Sequence, residues 1–467
     1  MIRMAKKIEL PNDIESLQKL VVQLLERVER LEAENAELRA ENRELKRQLG
    51  MNSQNSHKAP SSDIYKKAKK KSQLPKELKS RGGQKGHKGK TLERVEQADY
   101  TKVYGPKECR ICQRQFDADK LEIIERRQVF DIPPARLEVT EHQLGSIECC
   151  GITHKGKYPK DVIAPVQYGP GVKAITTMLS VDYRMPLDRI KLLVTDLYGY
   201  AINSATLLKN LKDGYELLEP IEGQIKQGIL KSSVAHFDET GIRIEAKNHW
   251  LHTASTSMLT YLFVHKKRGG EALRSAVSII KDFKGTAVHD CWPSYFKFED
   301  CHHVLCGAHL LRELRALIEM ESKWAKSMFK FLIHLYKLEY PLDKARARYK
   351  RILQKANKEE PQAIQGPKGR PKQSKGRCLY NRLKKYQDGV LAFAFDETIP
   401  FTNNQAERDI RPVKVKQKIS GGFRTFYGAQ HYARIQAVIS TLRKQSINVF
   451  DALRSVFNHS QIVGLQT

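Results

Sequence analysis

The sequence predicts a mixed α/β fold, in which a sheet is flanked by helices, with two smaller elements ahead of it. Over 231–265, short runs rich in β-branched and aromatic residues alternate with turn residues, as antiparallel strands do. A helical stretch and two further short strands follow, which adds parallel strands to the same sheet. Earlier in the chain, leucines recur every seventh residue and a Cys-x-x-Cys pair occurs. These features predict a long helix and a small zinc-binding module before the sheet.

The pattern divides the chain into six segments. We predict a coiled-coil helix at 1–50, a basic flexible arm at 51–95, a zinc-finger-like module at 96–165, a helical segment at 166–225, the sheet domain at 226–430 with a helical insertion at about 315–395, and a C-terminal helical region at 431–467.

Charge is the strongest feature of the composition. The 467 residues include 82 Lys and Arg against 53 Asp and Glu, which gives a net charge of +29. Such an excess predicts a polyanionic partner, above all nucleic acid. No run of about 18 apolar residues is present to insert into a membrane. Because the N-terminus also lacks an apolar secretory signal, we expect a cytoplasmic protein whose eight cysteines bind metal or stay reduced.

The segment 1–50 has the heptad pattern of a coiled coil. Leu occupies one seam position and Val, Asn or Leu the other, in the order Leu17, Val21, Leu24, Val28, Leu31, Asn35, Leu38, Asn42, Leu45 and Leu49. Val and two polar Asn at the second position favour a parallel dimer in fixed register. We therefore predict a homodimer, or a higher oligomer, through this helix. The alternative is an amphipathic helix that packs against its own chain.

The segment 51–95 is a cationic arm. Residues 66–90 carry eleven Lys or Arg against one Glu, and Gly and Pro interrupt any continuous helix. Lys85 and Lys88 are candidates to neutralise DNA phosphates, which gives salt-sensitive affinity without sequence preference. A solvated charged linker is the alternative.

Two cysteine pairs define the segment 96–165: Cys109 and Cys112, then Cys149 and Cys150. Thiolates so paired suit a tetrahedral, structural Zn²⁺, which can stabilise a small module with a thin core. Adjacent cysteines chelate one ion awkwardly, so His142 or His154 could supply a ligand instead. Free buried thiols are the alternative. We predict strands between the two pairs.

The segment 166–225 reads as helices joined by a turn. Gly199 lies at the turn, and Asn203 or Ser204 is a candidate N-cap for the second helix. The spacing suits a helix-turn-helix that contacts DNA and suits an ordinary α-hairpin equally well.

Three acids are the candidate catalytic residues of the sheet domain. Asp238 and Asp290 follow short apolar runs, at predicted strand ends, and Glu407 lies near the start of a predicted helix. Carboxylates gathered at one point would hold Mg²⁺ or Mn²⁺, ions that serve phosphoryl chemistry. Four basic residues near Glu407 are candidate DNA contacts: Arg408, Arg411, Lys418 and Arg424. Other acids have the same chemistry, and spacing does not exclude them: Glu239, Asp282, Asp396 and Asp409.

Four ordered motifs carry a resemblance to a known family: HFDETG, VHDCWPSY, CGAHLLREL and NNQAERDIRPVKVKQKISGGFRT. They resemble the motifs of transposases of insertion-sequence family 66, and the likeness extends to NSQNSHKAPSSD, GGQKGHKGK and the Cys-x-x-Cys module. The resemblance implies an RNase H-like catalytic domain whose DDE triad falls on Asp238, Asp290 and Glu407. It also implies double-stranded DNA as substrate and accessory transposition proteins encoded nearby. The adjacency of Cys149 and Cys150 departs from the family pattern.

Two other functions compete with a transposase that cleaves element ends and transfers strands. A DNA-binding regulator without catalysis, such as an inactive copy of the element, would use the coiled coil, the arm and the zinc module alone. Another RNase H-like nuclease would cut DNA without joining strands. The three acids argue against the regulator, since it has no use for them in a cationic protein.

Overall fold

The computed structural model of the protein describes residues 13–50, 92–117, 119, 122–363 and 373–466. The predicted arm, with Lys85 and Lys88, lies outside these ranges apart from its last residues. One long helix, α1 (Ile14–Gly50), covers most of the heptad segment. Its seam residues Leu24, Leu31 and Val28 are each about half exposed in the single chain. Nowhere in the described ranges is there a helix with the length and apolar character to cross a membrane.

Contacts divide the chain into two units, and the smaller one comprises 76–168 and 186–208. It contains a two-stranded antiparallel hairpin, β1 (Ser146–Cys149) and β2 (Ile152–Lys155). Cys150 and Gly151 form its two-residue turn, both with positive φ, as a type I′ hairpin requires. Residues 122–145 form no strand, so the strands predicted between the cysteine pairs are wrong. Their apolar residues, such as Ile124 and Val129, are exposed and gain nothing from a pleated surface.

Four helices follow the hairpin in sequence and precede the sheet. They are α2 (Pro170–Val181), α3 (Leu187–Tyr198), α4 (Ser204–Leu217) and α5 (Glu219–Leu230). Gly199 ends α3 in the left-handed conformation, with φ of 73°, and the Asn203 side chain accepts the Ala205 N–H at the start of α4. The predicted turn and cap are both present.

A five-stranded mixed sheet forms the centre of the larger unit. Its strands are β3 (Val234–Ile244), β4 (Lys247–Ser255), β5 (Thr260–His265), β6 (Thr286–His289) and β7 (His302–Leu305). The order is β5-β4-β3-β6-β7, with β3, β4 and β5 antiparallel and β6 and β7 parallel to β3. Helices flank this sheet, as the sequence predicted, and the arrangement is compatible with an RNase H-like core.

The chain between β5 and β6 departs from the prediction of one long helix. Helix α6 spans only Gly270–Arg274. The Ser275 hydroxyl donates to the Ala272 carbonyl at 2.7 Å and competes with further helical hydrogen bonds. The following turns bury Ile279, Ile280 and Phe283 in the core.

Two hydrophobic clusters stabilise the larger unit. One joins the sheet to α5, α13 (Phe426–Lys444) and α14 (Val449–Phe457). The other is almost wholly helical and contains the buried Trp324 and Tyr349. Its helices are α7 (Gly307–Ile318), α8 (Lys323–Tyr336), α9 (Leu342–Glu359), α10 (Lys375–Lys385) and α11 (Gln387–Phe395). After α11 the chain returns to the sheet as α12 (Asn404–Ser420), which packs on β3 and β4.

Candidate active site

Asp238 on β3 and Asp290, directly after β6, lie at the same end of two neighbouring parallel strands. β3 pairs with β6 over Val234–His236, and His236 is opposite Val288. Continuing this register by two residues brings Asp238 opposite Asp290, on the same face of the sheet. We predicted that β3 ends at Asp238, and this prediction is wrong. The strand continues to Ile244, because β4 continues to pair with it. Asp238 therefore lies just beyond the residues at which β3 pairs with β6.

The electrostatics of Asp238 show that all three acids are close. Burial among protein atoms raises the pKa of the Asp238 carboxyl well above its usual range, and the negative charges of Glu239, Asp290 and Glu407 raise it further. Each Asp side chain also accepts a local backbone hydrogen bond: Asp238 Oδ1 from the Glu239 N–H at 2.9 Å, and Asp290 Oδ1 from the Trp292 N–H at 3.0 Å. The structure thus places Asp238, Asp290 and Glu407 in one electrostatically coupled group.

Glu407 reaches this group from the first turn of α12. Its Oε1 atom is 3.9 Å from Arg312 Nη2 and 4.0 Å from His309 Nδ1, too far for a hydrogen bond to either. This oxygen is buried, and among the described residues it has no hydrogen-bond partner. A buried acceptor that lacks a donor is costly, so the atom is suited to a ligand that brings positive charge.

The acid next to Asp238 is held quite differently. The Glu239 side chain is 1% exposed and accepts two hydrogen bonds from Arg268, at 2.9 and 2.7 Å, and one from the Tyr295 hydroxyl at 2.6 Å. The Arg268 guanidinium in turn lies over the rings of Trp250 and Trp292, at 4.9 and 4.4 Å. Glu239 therefore has a full set of structural partners.

The remaining competitors among the acids are also accounted for. The Asp409 carboxylate, 9% exposed, accepts from Lys444 Nζ at 2.8 Å and from Gln405 at 3.0 Å. Asp282 pairs with neighbouring Lys281 at the surface. Asp396 accepts hydrogen bonds from Thr398 in an exposed turn.

Two hydrogen-bonded histidines, the buried His289 and the partly buried His303, support the strand that ends beside Asp290. The Phe298 carbonyl can only accept, so His303 donates from Nε2 at 2.8 Å and its Nδ1 accepts from His289 Nε2 at 3.0 Å. His289 Nδ1 then accepts the Cys291 N–H at 3.2 Å. Burial, with some help from His303, lowers the pKa of His289 to about 3, so both rings fit this chain of bonds as neutral imidazoles. These contacts orient the loop that carries Asp290.

Divalent cations fit the three carboxylates by chemistry and charge. Within the described ranges, no group of three or more His, Cys, Asp or Glu side chains is arranged around one point to hold an ion. Mg²⁺ needs only one or two protein carboxylates, because waters and substrate phosphates complete its coordination. Pairs drawn from Asp238, Asp290 and Glu407 could satisfy that requirement.

The predicted DNA contacts that can be described lie on the surface. Arg408, Arg411 and Lys418 are exposed on α12, and Arg424 is exposed just after it. The chain beside Arg424 is fixed to the sheet, since the Phe423 N–H donates to the Arg243 carbonyl at 2.9 Å. Gly422 makes that approach possible, because a Cβ there would lie 2.8 Å from the same carbonyl oxygen.

The cysteine pairs of the smaller unit form two separate turns. The Cys109 N–H donates to the Arg114 carbonyl at 2.8 Å, which closes a tight turn around Cys112. Backbone N–H groups of this turn, foremost that of Cys112, lower the pKa of the Cys109 thiol and favour its thiolate form. In the second turn Cys149 Sγ lies 3.6 Å from Cys150 Sγ. The first turn fits half of a zinc site, but the described residues do not gather both pairs into one cluster.

Sequence reasoning overlooked two residues near the acids. They are Asn403 and Cys306, and the Asn403 N–H donates to Cys306 Sγ. Both are buried polar groups in motifs that the sequence already singled out. That burial is the signal, and it becomes visible only in the fold.

A strongly cationic chain with acids gathered at one end of two parallel strands is typical of enzymes that process nucleic acid. A family model described as the Transposase IS66 family matches residues 165–431, more than half of the chain and including all three acids. The chain belongs to the IS66 family of transposases, as its motifs indicated. Residues 5–93 match a second model, a family of unknown function (DUF6444). No curated protein matches the chain.

Proposed function

We propose that this transposase cleaves DNA at the ends of its element and joins them to target DNA through Asp238, Asp290 and Glu407. Membership of the IS66 family supports the transposase activity. One observation carries the choice of acids: these three carboxylates act on one another without a hydrogen-bonded cation, while their neighbours Glu239 and Asp409 each have one. A site that gathers negative charge while its nearest guanidinium, that of Arg312, stays 3.9 Å from Glu407 and beyond hydrogen-bonding distance is prepared for cations.

The residues of the site would divide the work as follows. Asp238 and Asp290 would share Mg²⁺ or Mn²⁺, and Glu407 would complete a second position with Asp238. Bound Mg²⁺ would supply charge neutralisation at the phosphate and would acidify the attacking hydroxyl. Arg408 and Arg411 would contact flanking phosphates and hold the scissile bond over the acids.

The reaction needs positioning and charge neutralisation and no covalent nucleophile from the protein. In cleavage, a water oxygen bonds to phosphorus and the bond to the 3′ oxygen breaks, which leaves a 3′-hydroxyl on the element. In joining, that hydroxyl attacks a target phosphate and displaces the target's 3′ oxygen. The three carboxylates would serve both steps at the same place.

The other segments would assemble and anchor the enzyme on double-stranded DNA. We propose that α1 pairs with its copy in a second chain, because its apolar seam is uncovered in one chain. The basic arm with Lys85 and Lys88, together with Lys418 and Arg424, would add contacts to phosphates. Accessory proteins of the element could join this complex.

We also propose that Cys109 and Cys112 hold a structural Zn²⁺, with Cys149 and Cys150 as the predicted second pair, although the structure, in the residues it describes, does not bring that pair to the first. The lowered pKa of Cys109 supports the first half of the site. Metal analysis of the purified protein should find zinc that Cys112→Ser releases. Zinc content unaffected by that change would refute the site.

The test of the catalytic proposal is cleavage and strand transfer of labelled element-end DNA with Mg²⁺. Glu407→Gln should lower both rates by about 10²- to 10³-fold or more, since a preorganised charged group is lost. Asp282→Asn, a surface acid paired with Lys281, is the matched control and should retain both rates. Cleavage without joining would indicate a nuclease, and Mg²⁺-independent binding without cleavage would indicate a regulator.

A further inference from the structure

Asn403 connects the helix of Glu407 to the strand of Asp238. It lies immediately before α12, one helical turn ahead of Glu407, and is 1% exposed. Its Nδ2 donates to the Phe237 carbonyl at 2.8 Å, and its Oδ1 lies 2.9 Å from His236 Nδ1. One buried amide thus contacts the two residues of β3 that precede Asp238.

Hydrogen-bond chemistry fixes the orientation of this amide. The Phe237 carbonyl can only accept, so the Asn403 NH₂ group must face it and Oδ1 must face His236. Because Oδ1 can only accept, His236 carries its proton on Nδ1 and donates it. A 180° flip of the amide would break the bond to Phe237, so the side chain has one satisfied position.

The backbone of Asn403 makes a third connection, through Cys306. The Asn403 N–H donates to Cys306 Sγ at 3.1 Å. The Cys306 N–H donates to the carbonyl of His289 at 2.9 Å, and His289 is the residue before Asp290. Asn403 and Cys306 therefore link all three elements that carry the acids, namely β3, β6 and α12.

A close backbone approach supports the same junction. The Gly307 N–H donates to the Phe401 carbonyl at 2.8 Å. A Cβ at Gly307 would lie within 2.3 Å of the Phe401 ring, so only glycine allows the two segments to meet this closely. The start of α12 is consequently held at fixed distance from the end of β7.

We propose that Asn403, supported by Cys306, is a positioning residue that sets Glu407 against Asp238 and Asp290. This inference rests on the proposed function of the three acids. Four residues of α-helix rise about 6 Å as one rigid unit, so fixing Asn403 fixes the height and rotation of Glu407. A displacement of about 1 Å at a reacting centre can cost about 10²-fold in rate. The long insertion before α12 makes such a link necessary, because the chain itself does not restrain Glu407.

The test compares Asn403→Ala with Asn210→Ala. Asn210 is buried as deeply and donates from Nδ2 to Thr176 Oγ1 at 3.1 Å, in a part of the fold without the acids. Asn403→Ala should lower the cleavage rate at saturating Mg²⁺ by about 10- to 100-fold. It should also raise, by about tenfold, the Mg²⁺ concentration that gives half of the Mg²⁺-dependent rise in Tm, a readout that needs no turnover. Asn210→Ala should lower Tm and change neither quantity.

A second pair of variants keeps the inference testable if Asn403→Ala does not fold. Cys306→Ser keeps an acceptor for the Asn403 N–H, whereas Cys306→Ala removes it. We expect Cys306→Ser to retain more Mg²⁺ affinity and cleavage than Cys306→Ala. Equal values for the two would overturn the inference.

Glu407→Gln, measured alongside, separates two kinds of failure. If Glu407→Gln cleaves as fast as the wild type, the proposed triad is wrong and the positioning role is overturned with it. If Glu407→Gln is inactive while Asn403→Ala matches Asn210→Ala, the triad stands and the positioning role alone is refuted.

Discussion

Two pairs of acids, adjacent or nearly adjacent in sequence, have opposite environments in this protein. Glu239 is bonded to Arg268 and Tyr295, and Asp409 is bonded to Lys444. Asp238, one residue before Glu239, and Glu407, two residues before Asp409, have no cation within hydrogen-bonding distance among the described residues. On β3, Glu239 is neutralised and Asp238 is repelled by neighbouring acids. On α12, Asp409 is neutralised and Glu407 faces the other two acids.

A cationic protein can concentrate negative charge at one place by neutralising only some of its acids. Among the 82 Lys and Arg residues, Arg268 is hydrogen-bonded to Glu239 and Lys444 to Asp409. These two acids link separate elements of the fold. The fold leaves Asp238, Asp290 and Glu407 to repel one another, which adds to the effect of burial in raising the pKa of Asp238. Such uncompensated charge costs stability and is typical of functional sites.

The largest effect on stability should come from removing a neutralised acid. Glu239→Gln would replace the buried carboxylate that accepts from Arg268 and the Tyr295 hydroxyl with a neutral amide, and losing hydrogen bonds to a charged group costs about 1.5–3 kcal/mol. Asp409→Asn should act in the same direction on Lys444. Urea unfolding of each variant, with Asp282→Asn as the surface control, measures the loss. A loss below about 1 kcal/mol for Glu239→Gln would contradict the structural role of this pair.

Besides the neutralised and the repelling acids, the protein contains a buried histidine that the fold keeps uncharged. His252 is 2% exposed and stacks on Phe263, and mainly burial lowers its pKa to about 4. Below about pH 6.5 the unfolded chain takes up a proton that the folded chain refuses. The free energy of unfolding should therefore fall between about pH 6.5 and about pH 4, with His252 contributing up to about 3 kcal/mol.

The variant His252→Phe isolates this contribution, since it keeps an aromatic ring against Phe263 and removes the titrating group. Its unfolding free energy should depend less on pH over that range than that of the wild type. Identical pH dependence in the two proteins would show that His252 is not kept neutral by the fold.

Cation binding should distinguish the two kinds of acid directly. If Asp238, Asp290 and Glu407 hold Mg²⁺, then Mg²⁺ at about 100 times its dissociation constant should stabilise the wild type by about 2.7 kcal/mol. Asp290→Asn should lose most of this gain, because a ligand is removed. Asp409→Asn should keep it, although its starting Tm is lower. Thermal unfolding over a series of Mg²⁺ concentrations gives both numbers, and equal gains in the two variants would refute the distinction.

The sequence predicted much of the fold because its patterns are local. Short runs of β-branched and aromatic residues separated by turn residues predicted strands of the mixed sheet, and Gly199 and Asn203 predicted the end of one helix and the start of the next. Predictions from local sequence patterns failed at two places, one because a side chain competes with the backbone and one because a neighbouring strand continues to pair. Ser275 ends α6 early, and β4 extends β3 beyond Asp238.

The environment of each acid could not be predicted, because the partners are distant in sequence. Arg268 comes 29 residues after Glu239, and Lys444 comes 35 after Asp409. The amide of Asn403 reaches Phe237 across 166 residues. Spacing identified four competing acids and could not rank them; only the resemblance to the family's motifs did so. The fold adds a physical reason for that ranking.

We propose that the charge of Asp238 lowers the stability of the metal-free fold and serves the cleavage of DNA. One preparation of Asp238→Asn can test both effects. Removing a charge that Glu239, Asp290 and Glu407 repel should raise the metal-free stability by about 1 kcal/mol. The same variant should fail to cleave labelled element-end DNA with Mg²⁺. A higher Tm together with lost cleavage is the result we predict. A lower Tm with cleavage retained would contradict both effects proposed for Asp238.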